Sequence, residues 1–313
     1  MRIGLLGLGS AGMRHSRAFL KIPGVSLIGA DLDAERRAGA RAHGMTVVPT
    51  LADLLATAPD AAVIAVPHAY LAEAALGALE AGCHVLLEKP MATTLEDAQR
   101  VLDAARTVGR HVMISFVHRF RPDVAAARDL IARGVIGRPT LVVDTMAGGA
   151  SDMPAWVWRR AEAGGGMMFY NGIHQVDRVR FLLGDEADRV RAEVRTLAHD
   201  VDTEDTVGAL VTFRGGALAV IVQHKAPADA LAGWETQVFG MAGSLLIRTG
   251  QEVRWTAGGT ASSLPGSPED RFLGAATEFV SALEAGRAPS PSGADGVAAL
   301  RIVLEMYGDA PSV

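Results

Sequence analysis

Residues 86–95, LLEKPMATTL, place Lys89 between Glu88 and Pro90 at the close of an apolar run. Of thirty Lys and Arg positions in the 313-residue chain, only Lys21, Lys89 and Lys225 are lysine. Arginine brings a permanent charge and a bidentate fork, whereas a lysine amine gives up its proton when buried or crowded by other cations. A lysine kept against that bias fits one of two uses: a compact donor with tunable proton affinity, or a solvated charge at a strand end. A second group of residues points to a ligand. GLGSAG sets Gly7, Gly9 and Gly12 in the spacing G-x-G-x-x-G, with Ser10 and Ala11 between them, after the first apolar run and ahead of a helical pattern. The first glycine allows a tight turn, the second a close backbone approach to a pyrophosphate, and the third close helix packing; the helix N-terminus then offers N–H groups to phosphate. Asp31 follows about 20 residues on, where a carboxylate accepts from a ribose diol and repels a 2′-phosphate. NAD is the expected cofactor, with NADP left open by Arg36 and Arg37 nearby. The plain alternative is a strand–turn–helix corner with a capping acid.

The elements that must carry these residues are legible up to about residue 116. RIGLLGL, VSLIGA, TVV, AAVIAV, HVLLE and HVMISF read as short strands apolar on both faces, as in a parallel sheet. AYLAEAALGALEAG between them is helical, with Leu71, Ala74, Ala75, Ala78 and Leu79 on one face, and TTLEDAQRVLDAARTVG starts with a Thr94–Asp97 capping pattern. The fold expected is an α/β, doubly wound Rossmann domain over 1–118. Val66, Pro67 and His68 then fall at the carboxyl edge of the sheet, where ligands of such folds collect, and join Glu88, Lys89 and His118 as expected cofactor contacts.

Beyond HRFRP the pattern changes. A helix is expected from about Asp123 to Arg133, then a strand near PTLVVDTMAG, a tryptophan-bearing stretch, and a helix over MMFYNGIHQVDRVRFLLG stopped by Gly184. RVRAEVRTL, DTVGALVTFRGGALAVIVQH, WETQVFGMAGSLLIR and EVRWT read as strands with hairpin turns at RGG and MAGS. Residues 119–313 are therefore expected to form an α+β domain for substrate binding and oligomerisation, a mostly antiparallel open sheet with helices on one face. A last helical pair follows a loop, with Ser267 as its cap and Pro268 in the first turn.

EKP, the glycine fingerprint, FVHRFRP and the later GGG…GIHQVD together resemble the glucose-fructose oxidoreductase and inositol dehydrogenase (Gfo/Idh/MocA) family over nearly the whole chain. The resemblance implies a dinucleotide held by the fingerprint, Lys89 meeting the substrate hydroxyl and the nicotinamide, and His174 exchanging the proton. An oxidised secondary alcohol must shed a proton while its hydride leaves, which a lysine donor and an imidazole base can serve. The family usually has an aspartate four residues before that histidine, and here Tyr170 stands there with Asn171 next. Tyr170 then joins the relay, or Asn171 contacts substrate, or the chemistry has moved from polyol oxidation. His118, Trp158 and Arg159 complete the expected substrate contacts, the tryptophan stretch being either a lid or interdomain packing. Gln223, His224 and Lys225 end a strand that binds substrate if its edge faces the site.

Composition narrows the partners. A net charge of −5 without a basic run argues against nucleic acid, Cys83 alone permits neither a disulfide nor a cysteine metal site, and no apolar stretch reaches membrane length. No metal is expected. A cytoplasmic NAD(P)-dependent dehydrogenase acting on a sugar, inositol or related cyclic polyol or acid is the leading reading. Its alternatives are a dehydrogenase for the dihydrodiol of an aromatic acid, a bound-NAD glycosidase or lyase, and a non-catalytic dinucleotide-binding regulator. Strands such as GALAVIVQ and GSLLI carry apolar residues on both faces, so a homodimer or homotetramer through that sheet is expected.

Overall fold

The computed structural model describes residues 1–149, 153–227, 230–267 and 270–308. They form two compact units, Met1–Val117 with Asp270–Val297, and His118–Glu269 with Ala298–Val313.

The first unit alternates β1 (Arg2–Leu6), α1 (Ser10–Phe19), β2 (Ser26–Ala30), α2 (Ala34–Ala42), β3 (Thr46–Val48), α3 (Leu51–Leu55), β4 (Ala61–Ile64), α4 (Leu71–Glu80), β5 (His84–Leu87), α5 (Leu95–Thr107) and β6 (Val112–Ile114). The strands pair in parallel in the order β3-β2-β1-β4-β5-β6, a doubly wound sheet with its switch point between β1 and β4. Helices cover both faces, so β4 is buried along its whole length and Ile3, Leu5, Val85, Leu86 and Leu87 are inaccessible to solvent. Truncating one such core residue to alanine costs about 2–5 kcal/mol. The expected apolar stripe of α4 is buried, and Thr94 caps α5 by accepting from the Asp97 N–H at 3.1 Å.

The second unit holds α6 (Pro122–Ala132), β7 (Pro139–Gly149), α7 (Arg160–Ala163), α8 (Ile173–Leu183), β8 (Ala187–Arg195), β9 (Thr206–Phe213), β10 (Leu218–Ala226), β11 (Gly233–Gly240), β12 (Gly243–Arg248), β13 (Glu252–Ala257) and β14 (Thr260–Pro265). Its eight strands run β14-β13-β12-β11-β7-β10-β9-β8, antiparallel except where β7 meets β10. RGG and MAGS are the hairpin turns between β9 and β10 and between β11 and β12. α8 packs on β7 and β10, while Leu210, Val222 and Phe239 stay exposed. No helix of the described residues is long and apolar enough to cross a membrane.

The last helices, α9 (Arg271–Glu284) and α10 (Gly293–Met306), differ from expectation. α9 lies in the first unit, outside the 1–118 range, because it packs on α1: Phe279 meets Phe19 edge-on at 6.4 Å and Phe272 meets His15 at 5.0 Å. Its cap is Asp270, not Ser267, with the carboxylate accepting from the Phe272 and Leu273 N–H groups at 3.0 and 3.4 Å. Pro268 lies outside the described residues.

Candidate functional site

The glycine loop joins β1 to α1 as its spacing requires. Gly7 has φ +90°, and a Cβ there would sit 2.2 Å from the Ala65 carbonyl oxygen. A Cβ on Gly12 would lie 1.8 Å from the Gly7 carbonyl oxygen, so helix and turn touch backbone to backbone. At Gly9 nothing comes closer than the Arg36 guanidinium, 3.8 Å from an imagined Cβ. Gly9 caps α1 without a side-chain acceptor, and Ser10 beside it is exposed, leaving N–H groups presented to a phosphate. Asp31 ends β2 and closes the loop from the other side: its carboxylate accepts from the Leu8 N–H at 2.7 Å and the Asp33 N–H at 2.9 Å. Arg36 stands 3.6 Å from it, and Arg37 donates to the Asp31 and Leu32 carbonyls. Val66 and Pro67, just past β4, are half-buried, whereas His68 is buried at the head of the turn into α4. The cradle fits a dinucleotide: open N–H groups for the pyrophosphate and a carboxylate at the sugar position.

Lys89 follows β5 on the same sheet edge, and Glu88 is the residue that fixes the corner. One Glu88 oxygen lies 2.8 Å from His15 Nε2 and accepts from the Ser115 hydroxyl at 2.8 Å, while the other accepts from the Lys89 N–H at 3.2 Å. Burial favours the neutral acid, but the His15 contact, the charge of Lys89 and the Ser115 bond outweigh it and hold the carboxyl at about 2. Glu88 is thus a carboxylate near neutral pH. Burial pushes the Lys89 ammonium below the usual lysine range, with the Glu88 charge opposing. That amine is half-buried, in contrast to the exposed Lys21, which pairs with Asp270.

The second unit assembles an aromatic cluster. His118, in the helical turn Val117–Phe120, meets His174 of α8 edge-on at 4.7 Å and Trp234 of β11 at 4.7 Å. The Trp234 N–H donates to Asp144, whose carboxylate also accepts from Gln175 at 2.6 Å and Thr236 at 2.6 Å. Arg178 lies over the Trp234 ring at 3.3 Å and donates to Thr236 and Thr249. Burial raises the Asp144 carboxyl and lowers Arg178 to about 10, each opposed by the other's charge. This charged floor lies wholly out of solvent under Trp234, orienting the ring on which His118 rests. Ahead of α8, Met168–Gly172 forms a π-helical turn. Glu204 braces its start, accepting from the Gly166 and Met168 N–H groups and from the Tyr307 hydroxyl.

Two family models match the chain. One, an oxidoreductase family with an NAD-binding Rossmann fold, covers residues 1–116, and the other, the GFO/IDH/MocA C-terminal domain, covers residues 124–246. The chain belongs to the Gfo/Idh/MocA oxidoreductase family. A 1,5-anhydro-D-fructose reductase of Ensifer adhaerens is 35% identical over 253 residues, 76% of this chain and 73% of that protein. The rhizopine catabolism protein MocA of Rhizobium meliloti is 30% identical over 96% of this chain and 92% of its own. Among solved structures, an aldose-aldose oxidoreductase from Caulobacter crescentus complexed with glycerol superposes with a TM-score of 0.89 at 25% identity, covering 99% of this chain and 97% of that one. This chain is an NAD-binding oxidoreductase of that family.

Against the family pattern, the structure sorts the expected contacts by unit. Gly7, Gly9, Ser10, Ala11, Gly12, Asp31, Val66, Pro67, His68, Glu88 and Lys89 all lie in the first unit, and His118 falls in the second, one residue past the boundary. Glu88 faces His15 and Ser115 from a buried position, so it supports the corner from within. Tyr170 and Asn171 are half-buried; because their turn is π-helical, Tyr170 does not stand a regular α-turn before the buried His174, and its ring meets Trp156 at 5.9 Å. Trp158 packs on His199 at 4.9 Å, while Arg159 is exposed and paired with Glu162. Arg119 grips Asp177 with three hydrogen bonds, so Asp177 serves that ion pair. His15, Ser115, Trp234 and Asp144 were not foreseen. The spacing G-x-G-x-x-G-x-x-H offered one signal for His15, and the other three have none short of the fold.

Proposed function

We propose that this chain is an NAD-dependent dehydrogenase that oxidises a ring CH–OH of a polyhydroxylated substrate, with Lys89 and His174 as catalytic residues. The observation that carries the reading is the Lys89 corner: a half-buried amine at the sheet edge that bears the glycine cradle, backed by an ionised Glu88. Asp31, presented at the end of β2, favours NAD over NADP. When bound, the dinucleotide supplies the hydride acceptor. Lys89 donates a hydrogen bond to the alcohol oxygen and stabilises the negative charge that grows on it as the C–H bond breaks. His174 takes the hydroxyl proton, its ring held by His118, which rests on the Trp234 floor. Tyr170, beside Trp156, is the second candidate for that proton path, in place of the usual aspartate.

The protein in this reading is cytoplasmic and works as a homodimer or homotetramer, with Leu210, Val222 and Phe239 on the exposed sheet face available for pairing. The test is absorbance of NADH with NAD or NADP across inositols, aldoses, sugar acids and aromatic dihydrodiols. Lys89→Met should lower kcat by about a thousandfold while NADH affinity stays within a few-fold. Near-normal turnover in that variant would remove the centre of the reading.

A further inference from the structure

Lys225 is half-buried on β10, and among the described residues no carboxylate lies within ion-pair distance of it. Its neighbour across the ladder is Asp205, whose carbonyl accepts the Lys225 N–H at 2.8 Å. The Asp205 carboxylate is already committed to the Leu197, Ala198 and His199 N–H groups and to the Thr206 hydroxyl. Burial lowers the pKa of the Lys225 amine, and among the described residues no charge offsets it. A cation held this way is unfavourable until a counter-ion arrives.

The pleat places Lys225 on the face that carries His174. Asp144 bonds to Gln175 of α8, so its side of the sheet is the α8 side. Residues directly paired across strands share a face, and every second residue returns to it. Asp144 pairs with Ile221, Met146 with Gln223 and Gly148 with Lys225, while Trp234 pairs with Met146. Trp234, Met146 and Gln223 therefore form one row, with Lys225 in the next row outward. Two strand spacings and one row separate Trp234 from Lys225, about 10 Å across the sheet and about 7 Å along it. A ring-sized substrate with an exocyclic group matches that span, since the lysine stem covers part of it. Two further features favour a ligand there. The buried Gln223 has an Oε1 without a hydrogen-bond partner. Gly148 keeps the space beside the amine clear, because a Cβ on it would stand 3.9 Å from Lys225 Nζ and 3.3 Å from Ala232 Cβ.

We infer that Lys225 is a specificity residue that binds the carboxylate of the substrate, making the substrate a sugar acid and not a neutral polyol. The inference rests on the dehydrogenase reading above. A single ammonium suits a carboxylate better than a phosphate dianion, which draws on arginine forks or several backbone N–H groups; Arg119 and Arg180 on this unit are committed to Asp177 and Glu186.

The experiment compares kcat/KM for matched pairs, D-glucuronate with D-glucose and D-galacturonate with D-galactose, plus a carboxylated cyclohexadiene diol, in the wild type, Lys225→Met and Lys225→Arg. The expected result is a preference for the acid of each sugar pair that collapses by about tenfold or more in Lys225→Met, mostly through KM, and is partly kept in Lys225→Arg. Preference for the diol acid alone, or an acid-to-neutral ratio unmoved by Lys225→Met, would overturn it. If the wild type turns over nothing, the dehydrogenase reading fails by itself, and calorimetry of D-glucuronate with the NADH-bound protein decides the role of Lys225. Binding lost in Lys225→Met upholds the carboxylate site; equal binding in both proteins, or none in either, overturns it.

Discussion

Glu88 links the stability of the first unit to pH in a way that can be measured. Its carboxyl is held at about 2 in the folded protein against 4.5 for the unreacted side chain. At about 1.4 kcal/mol per pKa unit, the ionised Glu88 contributes about 3 kcal/mol near neutral pH. Because the folded pKa is the lower one, this contribution is complete above the unfolded value and is lost as pH falls from about 4.5 toward 2. By the same relation about 2 kcal/mol of it is gone at about pH 3. The perturbation is Glu88→Gln, which keeps the shape and removes the titration. Urea unfolding should show the variant less stable than wild type by about 3 kcal/mol near pH 7, the gap narrowing to about 1 kcal/mol near pH 3. A gap that stays constant between those pH values would refute the claim that His15 and Ser115 hold Glu88 as an anion.

Two more predictions follow from the dinucleotide cradle. Gly12→Ala drives a methyl group onto the Gly7 carbonyl, so NADH binding followed by fluorescence should weaken by about a hundredfold or more; an unchanged affinity would mean the loop shifts without cost. Asp31→Ser should move the NADP-to-NAD preference by about tenfold or more toward NADP, helped by Arg36 and Arg37, and steady-state kinetics with both dinucleotides reads it.

What sequence could reveal here depends on range. β1 to β6 were legible because strands buried on both faces must be continuously apolar, and the glycine loop was legible because its three steric demands fall within six residues. The hairpins at RGG and MAGS were local too. Contacts formed only by the fold were not. Glu88 and His15 are 73 residues apart, and no pattern along the chain says which acid an imidazole in α1 will meet. α9 read as part of the second domain because it follows that domain in sequence, while its aromatic face belongs against α1. The turn that carries Tyr170 was not legible for a different reason: counting by α-turns fails where one residue is added to the turn, as over Met168–Gly172.

The return of the chain to α1 also sets an order of events at the ribosome. Every strand of the nucleotide-binding sheet has been translated by Ile114, yet Phe272 and Phe279, which cover His15 and Phe19, come more than a hundred and fifty residues later. Throughout that interval the nascent sheet carries an uncovered aromatic flank on the helix that is to cradle the dinucleotide. Completion of the cofactor-binding half thus waits until the eight-stranded sheet of the second unit has been translated, and a transcript broken anywhere between β6 and α9 yields a first unit without the helix that covers α1.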